Sequence, residues 1–200
     1  PGMGMAVVGS SLLWVGAFLS TTEAGYYKVA YAVINLVLMP ISPFIATSYP
    51  EINRTIIQRE WQQLRSILRK VTAIAAGWTL ASGVLLVLFG KYALWIYGKE
   101  YIPAYPALLV LLAGFGFANI FFWNRPLLLS LGLPVYPFRV TLWTGLAKVL
   151  LAFFLVPRFG YVAEAALLSG YFIVSIGLIV WRGFKEVHIQ EMQPVMEAAG

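Results

Sequence analysis

Residues 71–97 read VTAIAAGWTLASGVLLVLFGKYALWIY, a stretch whose one charge is Lys91. About twenty apolar residues in helical form cross a hydrocarbon core, so this stretch is long enough to span a bilayer. It lacks the alternation that a barrel strand would show. Five comparable blocks lie around it, at 3–20, 26–49, 104–131, 138–156 and 161–181. Only six of the 22 charged residues fall inside the six blocks. The whole chain is 60% hydrophobic and 11% charged, against about 25% charged in an ordinary soluble domain, which excludes a soluble enzyme. The fold expected is all-α, a polytopic integral membrane protein with six transmembrane helices. Block 3–20 has no basic segment before it and more spans after it, so it is not read as a cleaved signal peptide.

The charges outside the blocks or near their ends report orientation, while Arg125 and Lys148 lie too deep to count. Six spans place both ends of the chain on one side, with the 50–70 connection and the turn near 132–137. That side holds eight basic residues: Arg54, Arg59, Arg65, Arg69, Lys70, Arg139, Arg182 and Lys185. The other side holds four, Lys28, Lys91, Lys99 and Arg158, so both termini are expected in the cytoplasm. The net charge of +6 thus has a source in topology and in attraction to anionic membrane lipid, and no nucleic acid is needed to explain it. Within 52–70, Ile52, Ile56, Trp61, Leu64 and Leu68 recur at helical spacing with arginines elsewhere on the wheel. This reads as an amphipathic helix lying on the inner leaflet; the alternative is a cytoplasmic extension of the third span. Residues 183–200 form a polar cytoplasmic tail. Tyr26, Tyr27, Tyr92, Trp95, Tyr97 and Tyr101 gather at the outer ends as an aromatic belt.

The composition also narrows the chemistry. With no cysteine, no aspartate and a single histidine, His188 in the tail, the chain offers no disulfide, no thiolate nucleophile and no clear metal site. No cofactor, no metal and no catalytic residue are expected.

Four short motifs follow one another between these spans. Glu23-x-Gly25-x-Tyr27 with Ala30 opens the second span, and Pro50-x-Ile52 closes it before the basic stretch. Tyr97-Gly98-Lys99-Glu100-Tyr101 with Ala104 and Leu108 joins the third to the fourth. Val156-Pro157-Arg158-Phe159-Gly160 with Ala163 and Ala165 joins the fifth to the sixth. Their order resembles the carboxy-terminal half of lipid-linked oligosaccharide (polysaccharide and O-antigen) flippases of the multidrug/oligosaccharidyl-lipid/polysaccharide exporter superfamily. Glu164 departs from the small residue usual at that point. The resemblance implies one six-helix lobe of a two-lobe exporter in the cytoplasmic (inner) membrane. It implies alternating access and a polyprenyl-pyrophosphate-linked glycan as substrate. The partner would be an amino-terminal lobe of the same protein, and the start at Pro1 rather than Met fits a truncated chain.

Charges inside the spans are costly, so they are candidate functional groups. Lys148 is the deepest, on a small and polar face with Thr141, Thr144 and Gly145. It reads either as a cavity cation for an anionic headgroup or as an ion-pair partner of Glu164. Glu164 in turn reads as a coupling carboxylate, as that partner, or as a residue near the outer interface. Arg125, within Asn124-Arg125-Pro126, can hold a pyrophosphate bidentately beside a proline kink or simply snorkel to the interface. Asn124 lies close by to satisfy backbone groups freed by Pro126, and is a further substrate-site candidate. Asn35 stands mid-span in a polar stripe with Lys28, Tyr31, Ser42 and Tyr49, above a hinge at Pro40 and Pro43. That stripe lines a cavity or forms an interhelical hydrogen-bond seam.

Two other functions are open to such a chain. A cation-coupled multidrug exporter of the same superfamily would need cavity carboxylates, and the spans hold Glu164 alone. A membrane-embedded glycan polymerase or transferase would be expected to carry large outer loops or catalytic Asp or His residues.

Overall fold

The computed structural model describes residues 9, 11, 15–38 and 42–197. Among them all long regular elements are helices: α1 (Thr21–Leu38), α2 (Ser42–Ile57), α3 (Trp61–Ile96), α4 (Tyr105–Ile120), α5 (Asn124–Ser130) and α6 (Val135–Glu197), with a 3-10 turn at Lys99–Ala104. Three helical stretches are long and apolar enough to cross a membrane: Trp61–Ile96, Lys99–Ser130 and Val135–Met192. Most of the expected first span, Pro40 of the expected hinge and the last three residues of the tail lie outside the described residues.

Backbone punctuation explains where the elements stop. Ser20 caps α1: the Glu23 N–H donates to Ser20 Oγ (3.2 Å), and the Ser20 N–H reaches back to Glu23 Oε2 (3.4 Å). This reciprocal arrangement is a capping box, which satisfies donors that a helix start leaves open. Between α2 and α3, Glu60 N–H donates to Thr55 O and Arg59 N–H to Ile56 O, with Arg59 at φ 55°. That is a Schellman ending. The stretch 52–70, expected as one helix on the leaflet surface, is therefore divided. Residues 52–57 end α2, and 61–70 open α3 in one continuous helix with the apolar run.

The fourth expected block is also interrupted. After α4 the chain turns at 121–123 and restarts as α5, so Pro126 sits in the first turn of a new helix. There its missing N–H costs nothing and it does not kink a longer one. Helix α6 breaks at Gly160 (φ 69°, ψ −160°), which separates a first arm, 135–159, from a second arm, 161–197.

Side-chain contacts give the chain directions. Tyr105 Oη donates to Val87 O, Asn119 Nδ2 to Thr79 Oγ1 and Trp123 Nε1 to Thr72 Oγ1, so α3 and α4 run antiparallel. Tyr161 Oη donates to Pro103 O, Ser169 Oγ to Val110 O, and Gln190 Nε2 reaches Leu131 O. Both partners rise in number together, so the second arm lies parallel to α4 and α5. It lies close, because a Cβ on Gly114 would fall on Ser169.

Two cores result. One joins α1, α3, α4 and the second arm around Tyr27, Ile34, Leu94, Leu108 and Leu168. The other lies at the opposite end and holds Ile52, Trp61, Leu64 and Leu68 against Trp123, Leu127 and Ile179. The apolar stripe of 52–70 is thus covered by protein: its periodicity reflects a helix face in the core, which has the same moment as one facing lipid. On the outward side of α3, Leu80, Val84, Leu85 and Leu88 are all more than half exposed. A continuous apolar face of this kind suits a hydrocarbon surrounding far better than water.

Candidate functional site

One end of the bundle gathers residues from three of the four motifs. Tyr26 packs edge-on against both Tyr101 and Tyr161. A Cβ on Gly25 would meet the Tyr101 ring at 3.5 Å, and one on Gly160 would meet Glu23 Oε1 at 3.1 Å. The motif glycines here serve close packing and a turn. Tyr27, expected in the aromatic belt, is instead fully buried in the core. Helical rotation puts neighbouring residues of α1 on different faces, so Tyr26 caps the end while Tyr27 turns inward.

Below that end lies a buried polar cluster. Lys148 Nζ is joined to Glu164 Oε1, and it also donates to Ser11 Oγ at 2.9 Å. Both charged side chains are shielded, at 2% and 0% exposure. Tyr27 Oη and Glu164 Oε2 have no hydrogen-bond partner among the described residues. Of the two readings of Lys148, this arrangement is the ion pair. The bridge crosses the Gly160 reversal and takes in the segment before α1, so it ties three parts of the chain together. Ser11 had no sequence signal of its own; a serine in an apolar block is common, and only the fold puts it opposite Lys148.

Arg125 is placed differently. It is exposed, its Nη2 donates to Thr141 Oγ1 at 3.2 Å, and Tyr171 stands beside both groups. It has no ion pair among the described residues. Thr141 belongs to the small polar face that the sequence places with Lys148, so that face meets Arg125 at one level and Glu164 at another. Asn124 is buried next to it, with Nδ2 donating to Phe121 O at 2.6 Å across the turn between α4 and α5. That bond stabilises the chain reversal. Its Oδ1 has no partner among the described residues.

Of the expected stripe, only part faces outward on α1. Lys28 and Asn35 are exposed, and Asn35 Nδ2 donates to Tyr31 O at 2.8 Å within its own helix. Tyr31 leans inward onto Phe115. Among the described residues, then, Lys28 and Asn35 make no interhelical seam. Asn119 and Thr79 do, at 2.8 Å between α4 and α3. The candidate residues fall into three separate places: the Lys148–Glu164 pair inside the bundle, Asn124 and Arg125 at the start of α5, and Asn35 on the open face of α1. Comparison with protein-family models, with curated proteins and with solved structures finds no match to this chain.

Proposed function

We propose that this chain is one six-helix lobe of a flippase that moves a polyprenyl-pyrophosphate-linked glycan across the cytoplasmic membrane by alternating access. The observation that carries the reading is the contrast between its two deep cations. Lys148 is neutralised internally by Glu164, whereas Arg125 is exposed, within an apolar helical stretch, and without an ion pair among the described residues. An exposed guanidinium at that depth suits an anionic headgroup, which it can hold through two parallel hydrogen bonds. Thr141 and Tyr171 orient it.

The outward-facing Lys28 and Asn35 of α1 support the same reading. Lys28 and Asn35 would face a wet cavity between this lobe and an amino-terminal one, where polar groups within a membrane are tolerated. The Lys148–Glu164 pair then holds the lobe rigid as it rocks; a coupling role for Glu164 would require that pair to open. The single buried carboxylate among the described residues, already matched by a lysine, speaks against a carrier for cationic drugs.

The test is glycan export in cells that depend on this protein. Arg125→Ala should lower export about tenfold or more, the loss expected for a hydrogen bond to a charged group. Arg125→Lys should restore only part of it. Export unchanged in Arg125→Ala with normal protein levels would sink the assignment.

A further inference from the structure

One face of α3 changes character along its length. Gln62, Arg65, Ser66, Arg69 and Lys70 line a cavity of about 370 Å³. Arg65 and Arg69 also border a second cavity of about 680 Å³, whose remaining wall includes Leu68, Ala73, Ala76, Phe121, Trp123 and Phe184. The two adjoin at the shared arginines. Positions 62, 65, 69, 73 and 76 follow helical i+3/i+4 spacing and so lie on one face, which spans about 21 Å at the helical rise. The head of this strip is basic and its far part is small and apolar, walled by aromatic rings.

Among the described residues the charge at the head is matched by protein only in part. Arg65 pairs with Glu191 at 2.5 Å, while Arg69 and Lys70 have no ion pair among the described residues. Three cations therefore stand against one carboxylate. Ala73 and Ala76 leave open the space that larger side chains would fill, and it lies where α3 enters its apolar run.

We infer that this two-part groove binds an anionic phospholipid of the surrounding bilayer. Its phosphate sits on Arg65, Arg69 and Lys70, and one acyl chain lies over Ala73 and Ala76 against Phe121 and Phe184. Guanidinium forks match phosphate oxygens, and the apolar compartment separates a lipid from a free phosphate ion. The site is distinct from Arg125, and the inference does not depend on the transport reading.

The chain is purified in mild detergent and titrated with phosphatidylglycerol, phosphatidylcholine or inorganic phosphate, with bound ligand counted by native mass spectrometry. Phosphatidylglycerol should be retained in preference to phosphatidylcholine. Arg69→Gln with Lys70→Gln should weaken it by well over tenfold, at about fivefold per cation. Ala73→Leu with Ala76→Leu should displace phosphatidylglycerol with every charge intact. Ala73, Arg69 and Lys70 are exposed and Ala76 is half-buried on the cavity wall, so these variants are expected to fold, and unchanged circular dichroism and elution verify this. Equal retention of both lipids, wild-type retention by the leucine variant, or competition by inorganic phosphate at the same concentrations would each overturn the inference.

Discussion

Lys148 and Glu164 are joined side chain to side chain inside the bundle, although sixteen residues separate them in the chain. In one straight helix they would stand about 24 Å apart. The reversal at Gly160 brings them together, so the ion pair and the turn depend on each other. Removing one partner leaves a bare charge in a shielded site, which typically costs 3–5 kcal/mol. We expect Lys148→Met and Glu164→Leu each to destabilise the chain by about that much. The double variant, which packs apolar groups at both positions, should recover most of the loss. Unfolding in detergent followed by tryptophan fluorescence measures the cycle, and strictly additive losses would contradict the pairing.

Arg59 and Gly132 occupy the same position in two equivalent helix endings. Leu133 N–H donates to Leu128 O and Gly132 N–H to Leu129 O, the pattern seen at Glu60 and Arg59. Both residues have positive φ, 55° for Arg59 and 78° for Gly132. A side chain in this region costs roughly 1–2 kcal/mol, which Gly132 avoids and Arg59 does not. Nothing lies within 4 Å of a Cβ on Gly132, so the penalty of Gly132→Ala is conformational alone. Arg59→Gly should stabilise, and Gly132→Ala destabilise, each by about 1 kcal/mol. Thermal unfolding midpoints moving in the same direction for both variants would contradict this.

The helical, membrane-compatible character was legible from apolar blocks and from the scarcity of charge, because hydrocarbon-spanning length leaves a direct mark on composition. The Lys148–Glu164 pair was legible as one of two options, since both residues count from one turn. What the sequence could not separate was a helix face buried in protein from one buried in lipid. Ile52, Ile56, Trp61, Leu64 and Leu68 have the right spacing for either, and they pack on Trp123 and Leu127. The break at Arg59 was hidden for a related reason: αL endings are usually marked by glycine, and here an arginine takes the place. Pro126 misled in the opposite sense, since a proline opening a helix and one kinking a helix look alike in a continuous apolar block.

Gly114 sets how closely α4 approaches the second arm of α6. Its missing side chain makes room for Ser169, whose Oγ donates to Val110 O at 2.7 Å one turn away. Small residues allow helix backbones in membranes to pack closely and gain dispersion contacts. Gly114→Ala should push the helices apart and cost about 1–3 kcal/mol, as overpacking does. Gly170 is the control: a Cβ there meets nothing within 4 Å. Gly170→Ala should be neutral or stabilise by up to about 1 kcal/mol through helix propensity. Equal effects of the two substitutions in the same unfolding assay would show that close approach is not the cause.

Glu23 offers a way to separate a structural role from a functional one in the motif at the start of α1. Its carboxylate accepts from the Ser20 N–H and Oγ–H, at 3.4 and 3.2 Å, and lies against Gly160. A glutamine can replace glutamate in a capping box because the acceptor oxygen is kept. Ser20→Ala removes the cap itself and should cost about 1 kcal/mol. Glu23→Gln should cost about half of that or less. If unfolding midpoints show Glu23→Gln to be as damaging as Ser20→Ala, the negative charge at the helix start matters more than the hydrogen bonds. If stability is kept while the export proposed for this protein falls, Glu23 has a role beyond capping, and this end of the bundle takes part in the proposed transport.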